Sequence, residues 1–104
     1  MNWNSKESKK LIQAILALET AQEGRDFLRD ILTEKEITET AKRLQAAEML
    51  LQNIPYSVIE KETGFSSTTV ARVSKWLNTG AGGYKNILGK LHHGNSTQVK
   101  RGLS

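Results

Sequence analysis

The stretch that decides the fold runs Ser57-Val58-Ile59-Glu60-Lys61-Glu62-Thr63-Gly64-Phe65-Ser66-Ser67-Thr68-Thr69-Val70-Ala71-Arg72-Val73-Ser74-Lys75-Trp76-Leu77. Ser57 with Glu60 matches the capping-box pattern and opens a short helix that can last only to Thr63. Gly64 then supplies the positive φ of a tight turn between helices. Ser66-Ser67 offers a fresh N-cap, and Val70, Val73 and Leu77 fall on one face of the helix that follows. Ile59, Phe65, Val70 and Val73 are the expected contacts between the two helices. Such a pair, steeply crossed through a glycine-led turn, is a helix-turn-helix pattern at about residues 57–78. Glu60 stands where many such motifs carry alanine, so it must project to solvent or meet a base such as Lys61 or Arg72.

The charge distribution points the same way. Of the 15 Lys/Arg and 11 Asp/Glu, residues 1–63 hold nine basic and all eleven acidic side chains. From Gly64 onward there are Arg72, Lys75, Lys85, Lys90, Lys100 and Arg101 and no acid, so the acid-free half starts at the turn itself. That asymmetry is the footprint of a polyanion-binding surface. Within this basic half the cations do not share one face opposite an apolar one, as an interfacial membrane helix requires, so nucleic acid is favoured over membrane.

Working outward, the remaining segments also read as helices. Ser5 is a candidate N-cap before Leu11, Ile12, Ile15, Leu16 and Leu18, with Gly24 expected to break that first helix. A short amphipathic segment with Phe27, Leu28, Ile31 and Leu32 follows. Thr33-Glu34-Lys35-Glu36 is a second capping box, opening a long helix through Ile37, Ala41, Leu44, Ala47, Leu50 and Leu51 to about Asn53. After the breaker Thr79-Gly80-Ala81-Gly82-Gly83, residues Tyr84, Ile87, Leu88 and Leu91 make one last short helix. The expected organisation is a single all-α domain over residues 1–91 and a flexible basic tail over 92–104.

The chain's 104 residues exclude a large multidomain enzyme, and with no cysteine there is neither a disulfide framework nor a thiolate metal site. His92-His93 lacks the second cluster that a metal site needs. The glycine-rich 79–83 segment has no strand before it and no Lys-Ser/Thr after it, so it is not a phosphate-cradling loop. No catalytic dyad or nucleophile-base pairing is legible, and an enzyme is not expected. The polar start and the lack of a bilayer-length apolar run predict a cytoplasmic protein without a membrane partner.

From Phe27 to Leu91 the chain resembles the Trp repressor superfamily, in its Trp repressor-like branch of small bacterial proteins. The matching features are the Leu32-Thr33-x-x-Glu36 opening, Arg43 in the long helix, Glu48 before Leu50-Leu51, the unit Gly64–Arg72, and Tyr84 preceded by Gly82-Gly83. The resemblance implies an all-α helical homodimer with two helix-turn-helix reading heads on double-stranded DNA, about one DNA turn (~34 Å) apart. It further implies a sequence-specific transcriptional regulator, a repressor on a pseudo-palindromic operator. By position, Ser67, Thr68 and Thr69 face DNA and Tyr56 and Ser57 lie near phosphate; the helix-turn-helix pattern adds Ser66 to the hydroxyls presented to base edges, and the basic half supplies Arg72 and Lys75, with Lys85 and Lys90, for phosphates. The alternative is a helical protein-protein interaction module that does not bind DNA.

An effector pocket carried over from the same resemblance would use Leu32, Thr33, Arg43, Arg72, Val73 and Trp76. Val73 stands where the tryptophan-sensing family has glycine, Trp76 where it has serine, and Asp30 where it has an apolar residue. Val73 and Trp76 would occupy the space that a free amino acid needs. No cofactor is therefore expected, and tryptophan is not the expected co-repressor. Trp76 would act instead as a built-in plug, with Arg43 and Arg72 in surface ion pairs to Glu39 or Glu36.

Overall fold

The computed structural model describes the backbone of residues 1–101 and the side chains of residues 1–92. It contains α1 (Lys6–Leu16), α2 (Ala21–Ile31), α3 (Glu34–Leu51), α4 (Tyr56–Thr63), α5 (Ser67–Thr79) and α6 (Gly83–Arg101), with no strand among the described residues. Contacts group residues Met1–Thr38 into one unit and those from Glu39 onward into a second.

In the first unit, local polar chemistry sets the helix starts. Ser5 accepts from the Ser8 amide at 3.1 Å and caps α1. The chain then turns at Ala17, well before Gly24, which lies inside α2. The expected break at Gly24 is thus misplaced. Thr20 accepts from the Glu23 amide at 3.1 Å, while the Glu23 carboxylate takes the Glu19 amide at 2.8 Å. That pair of bonds outweighs the roughly 1 kcal/mol that a helical glycine costs. At the start of α3 both halves of the expected capping box form: the Thr33 amide donates to Glu36 Oε1 at 2.9 Å and the Glu36 amide to Thr33 Oγ1 at 3.1 Å. No residue of α1 or α2 is buried; Leu11, Ile12, Ile15, Leu16, Leu28 and Ile31 all remain exposed.

The second unit holds the core. Ala46 and Ala47 from α3, Ile59 from α4, Val70, Val73 and Leu77 from α5, and Leu88 from α6 are buried together, with Met49, Leu50, Ile54, Phe65 and Tyr84 packed against them. Small alanines on α3 let the neighbouring backbones come close. Asn53 takes a left-handed φ of 60° and its amide donates to the Leu50 carbonyl, while the Ile54 amide donates to that of Met49. These two bonds are a Schellman ending, which turns the chain toward α4.

Two boundaries differ from expectation. Pro55, with φ −61°, is the N-cap of α4 and makes no side-chain cap bond, so Ser57 lies in the first turn and its capping box with Glu60 does not form. The proline ring presets the entry φ without a hydroxyl cap. At the other end, α6 continues to Arg101 where the sequence predicts a helix ending near Leu91 and a tail from residue 92. No proline interrupts that segment, and its glycines weaken a helix without ending it. Residues 102–104 of the expected tail lie outside the described residues.

Candidate nucleic-acid interface and the adjoining cavity

The α4–α5 unit is built by three local devices. Gly64 closes α4 in the left-handed region, φ 77° and ψ 4°, with its amide donating to the Glu60 carbonyl at 2.8 Å. Thr63, buried to 2% exposure, donates its hydroxyl to the Ile59 carbonyl at 2.7 Å and accepts the Phe65 amide at 3.2 Å. This hydroxyl ties both sides of the turn together, and sequence reading did not single it out. Its one signal was a Thr directly before the turn glycine. Ser66 then caps α5 by accepting from the Thr69 amide at 3.2 Å.

The four hydroxyls at the start of α5 therefore do different jobs. Ser66 Oγ and Thr69 Oγ1 lie 3.2 Å apart and share a hydrogen bond. Ser67 and Thr68 are exposed and make no side-chain hydrogen bond among the described residues, so their donors and acceptors face outward. Arg72 and Lys75 are exposed further along α5, and Tyr56 and Ser57 are exposed in the first turn of α4. Lys85 and Lys90 are exposed on α6. None of these basic groups makes an ion pair among the described residues, which leaves their charge available to an anion.

Beside this surface lies a cavity of about 240 Å³ lined by Glu39, Arg43, Phe65, Thr69, Arg72 and Trp76. It brings together, from α3 and α5, three side chains named from the sequence: Arg43, Arg72 and Trp76. Glu39, Phe65 and Thr69 complete the wall, and Phe65 was read from the sequence only as a core contact. Arg43 reaches Glu39 at 3.9 Å one turn away, both side chains about half exposed, an interaction worth a few tenths of a kcal/mol at most. Val73 does not line the cavity: it is fully buried in the core. Helical rotation carries residue 73 to the core side of α5. Trp76 does line the cavity but is 47% exposed and leaves the space open rather than filling it. A second cavity, about 300 Å³, is lined by Trp76 together with Gly80, Ala81, Gly83 and Tyr84. Leu32 ends α2 and Thr33 opens α3 in the first unit, and neither lines the 240 Å³ cavity.

Elsewhere in the second unit, His92 Nε2 lies 3.4 Å from a Glu48 carboxylate oxygen, joining α6 to α3. Among the described residues no group of acidic or histidine side chains could hold a metal ion, and no helix is long and apolar enough to cross a membrane.

Comparison with known proteins agrees with this architecture. The family model described as Trp repressor protein matches residues 6–92. Uncharacterized protein YerC of Bacillus subtilis is 38% identical over 86 residues, which cover 83% of each chain. Among solved structures, a TrpR-like protein from Eubacterium eligens superposes with a TM-score of 0.83 at 34% identity, over 86% of this chain and 93% of that one. A candidate Trp repressor from Staphylococcus aureus gives 0.82 at 35% identity, over 88% and 95%. With the all-helical architecture, the glycine-turned α4–α5 pair and a family match spanning most of its length, the chain belongs to the Trp repressor family, in its Trp repressor-like branch.

Proposed function

We propose that the protein is a sequence-specific DNA-binding regulator that acts as a homodimer and represses by occluding a promoter. The observation that carries this reading is the outer surface of α5. Ser67 and Thr68 stand exposed with unused hydroxyls at its start, beside unpaired Arg72 and Lys75, in a half of the chain that holds no acid. A recognition helix needs small polar groups at its N-terminal end for base edges, and cations flanking them for phosphates. Tyr56 and Ser57 at the start of α4, and Lys85 and Lys90 on α6, extend the phosphate-facing set.

What the first unit leaves uncovered supports the dimer. Two consecutive helices expose Leu11, Ile12, Ile15, Leu16, Leu28 and Ile31. Covering them at ~25 cal/mol per Å² of apolar surface is a strong drive to associate. A second copy is the fitting cover, since two-fold pairing presents two α5 helices to successive major grooves. On this reading free tryptophan is not the co-repressor: Trp76 already contributes an indole to the cavity wall, and the remaining 240 Å³ falls below the usual ~300–1,000 Å³ of ligand pockets.

The test is selection from a random duplex library with the purified full chain, followed by titration of the enriched sequence. The expected product is an inverted repeat with half-sites about one turn apart, and Thr68→Ala should cost ~1–3 kcal/mol on that site while leaving random duplex untouched. No enrichment together with no binding of bulk duplex at low salt would sink the reading and favour a protein-interaction module.

A further inference from the structure

The N-terminal helix α1 breaks two rules of helix electrostatics at once. Lys6 stands in the first turn, where the positive end of the helix dipole disfavours a cation, with Glu7 as the one acid there, and Lys9 and Lys10 follow in the next turn. Lys6 and Lys9 are spaced i,i+3 and Lys6 and Lys10 i,i+4, so like charges are stacked as neighbours and repel. All three are exposed, and none makes an ion pair among the described residues. At 100° per residue, Lys9, Gln13, Lys6 and Lys10 fall within an arc of about 100°, while Leu11, Ile12 and Ile15 face the other way and Glu7 lies off the basic arc. The acidic balance of residues 1–63 conceals this, because ten of its eleven acids follow Leu18.

Glu7, three positions before Lys10, offsets only part of this repulsion, and a cluster of three exposed cations without an ion-pair partner among the described residues is where a polyanion can supply the remaining charge. From it we infer that the Lys6–Lys9–Lys10 face of α1 is a second polyanion-binding surface, one that grips duplex phosphates apart from the α4–α5 unit. It rests on the DNA-binding reading above and extends it to a contact that carries no sequence information. Duplex is favoured over an anionic bilayer because α2, the next helix, also exposes apolar side chains but sets Glu23, Asp26 and Asp30 against only Arg25 and Arg29. A bilayer would have to take up the apolar faces of both helices although α2 has no cationic excess to draw it there, whereas a protein partner can cover both faces and leave the lysines to DNA.

The experiment uses the full chain and a random-sequence duplex over a salt series, comparing wild type with Lys6→Gln/Lys9→Gln/Lys10→Gln. Each phosphate contact contributes about 0.9 to the slope of log affinity against log salt, so the variant should flatten it by about 2–3. Random-duplex affinity at low salt should fall tenfold or more. Relief of the repulsion should also raise the melting temperature by roughly 3–6 °C, a gain that a merely structural role for the lysines would not give. Should the variant not fold, amine acylation of the wild type gives the same answer: duplex should slow modification of Lys6, Lys9 and Lys10 several-fold and spare Lys35. An unchanged slope, or unchanged acylation, with wild type binding duplex normally overturns this inference alone. Failure of wild type to bind any duplex at low salt overturns the DNA reading with it. Capture of wild type, but not the variant, by phosphatidylserine vesicles, with the duplex slope unmoved, overturns it in favour of a membrane.

Discussion

Gly64→Ala isolates the one backbone conformation on which the α4–α5 angle depends. At φ 77° an L-residue meets its own carbonyl oxygen at a cost of roughly 1–2 kcal/mol. A Cβ built at this position meets nothing within 4 Å, so no packing clash adds to that figure. Alanine also stiffens the unfolded chain, which offsets roughly 0.4–1 kcal/mol, so the net loss should be about 1 kcal/mol. With a urea slope of about 1–3 kcal/mol per molar, the unfolding midpoint should fall by roughly 0.3–1 M at fixed protein concentration. Gly64→Asn should lose about half as much, because asparagine visits the left-handed region readily. Duplex affinity measured well below the melting range should change less than about twofold, since Thr63 and the Ile59–Val70–Val73 contacts still hold the helices. Two results would refute the reasoning. A Gly64→Ala midpoint equal to wild type would mean the turn is not left-handed in solution. Asparagine costing more than alanine would mean that φ is not the cause.

Three further outcomes follow from the same geometry. Hydrogen bonds from the Thr33 backbone amide, then its hydroxyl, hold the Glu36 carboxyl below its ordinary 4.5, so its contribution is complete above that pH and is lost as pH falls through the lowered folded value. Glu36→Gln should therefore flatten the acid limb of the stability profile below the ordinary 4.5, and an unaltered limb counts against the capping box. Lys75→Ala should weaken binding to all duplexes alike and reduce the salt slope by about one; preserved slope removes Lys75 from phosphate. Free tryptophan at millimolar concentration should leave the melting temperature unmoved, and a clear rise would restore it as an effector.

What the sequence made legible is what four-residue chemistry decides. Ser5, Thr33 with Glu36, Gly64 and Ser66 each act on partners within a turn of themselves, and each sits where the motif predicts. The errors were local competitions read one-sidedly. Gly24 looked like a break because glycine is a poor helix former, but the Thr20–Glu23 cap one turn earlier sets the boundary. Ser57 looked like a cap, but Pro55 had already fixed the entry. The cavity was legible only through resemblance, because Arg43 and Arg72 are 29 positions apart and no periodicity relates α3 to α5. Val73, by contrast, was legible as core from the apolar stripe Val70–Val73–Leu77.

The α5 helix explains why one short element can carry core, cavity and interface. Taking Ser67 as zero and turning 100° per residue, Val70, Val73 and Leu77 occupy an arc of about 240–300°, and Thr69, Arg72 and Trp76 one of about 140–200°. Ser67, Ala71, Lys75 and Thr68 fill the remaining open arc of about 0–100°. The first arc is buried, the second lines the cavity, and the third meets solvent. Arg72 borders the second and third, so its single guanidinium cannot serve a phosphate and the cavity wall in one conformation. Lys75 and Thr68 face no such competition. On the proposed DNA-binding reading, an occupant of the cavity would compete with phosphate for Arg72 alone, while the Thr68–Lys75 edge, which lines no cavity, would keep its contacts.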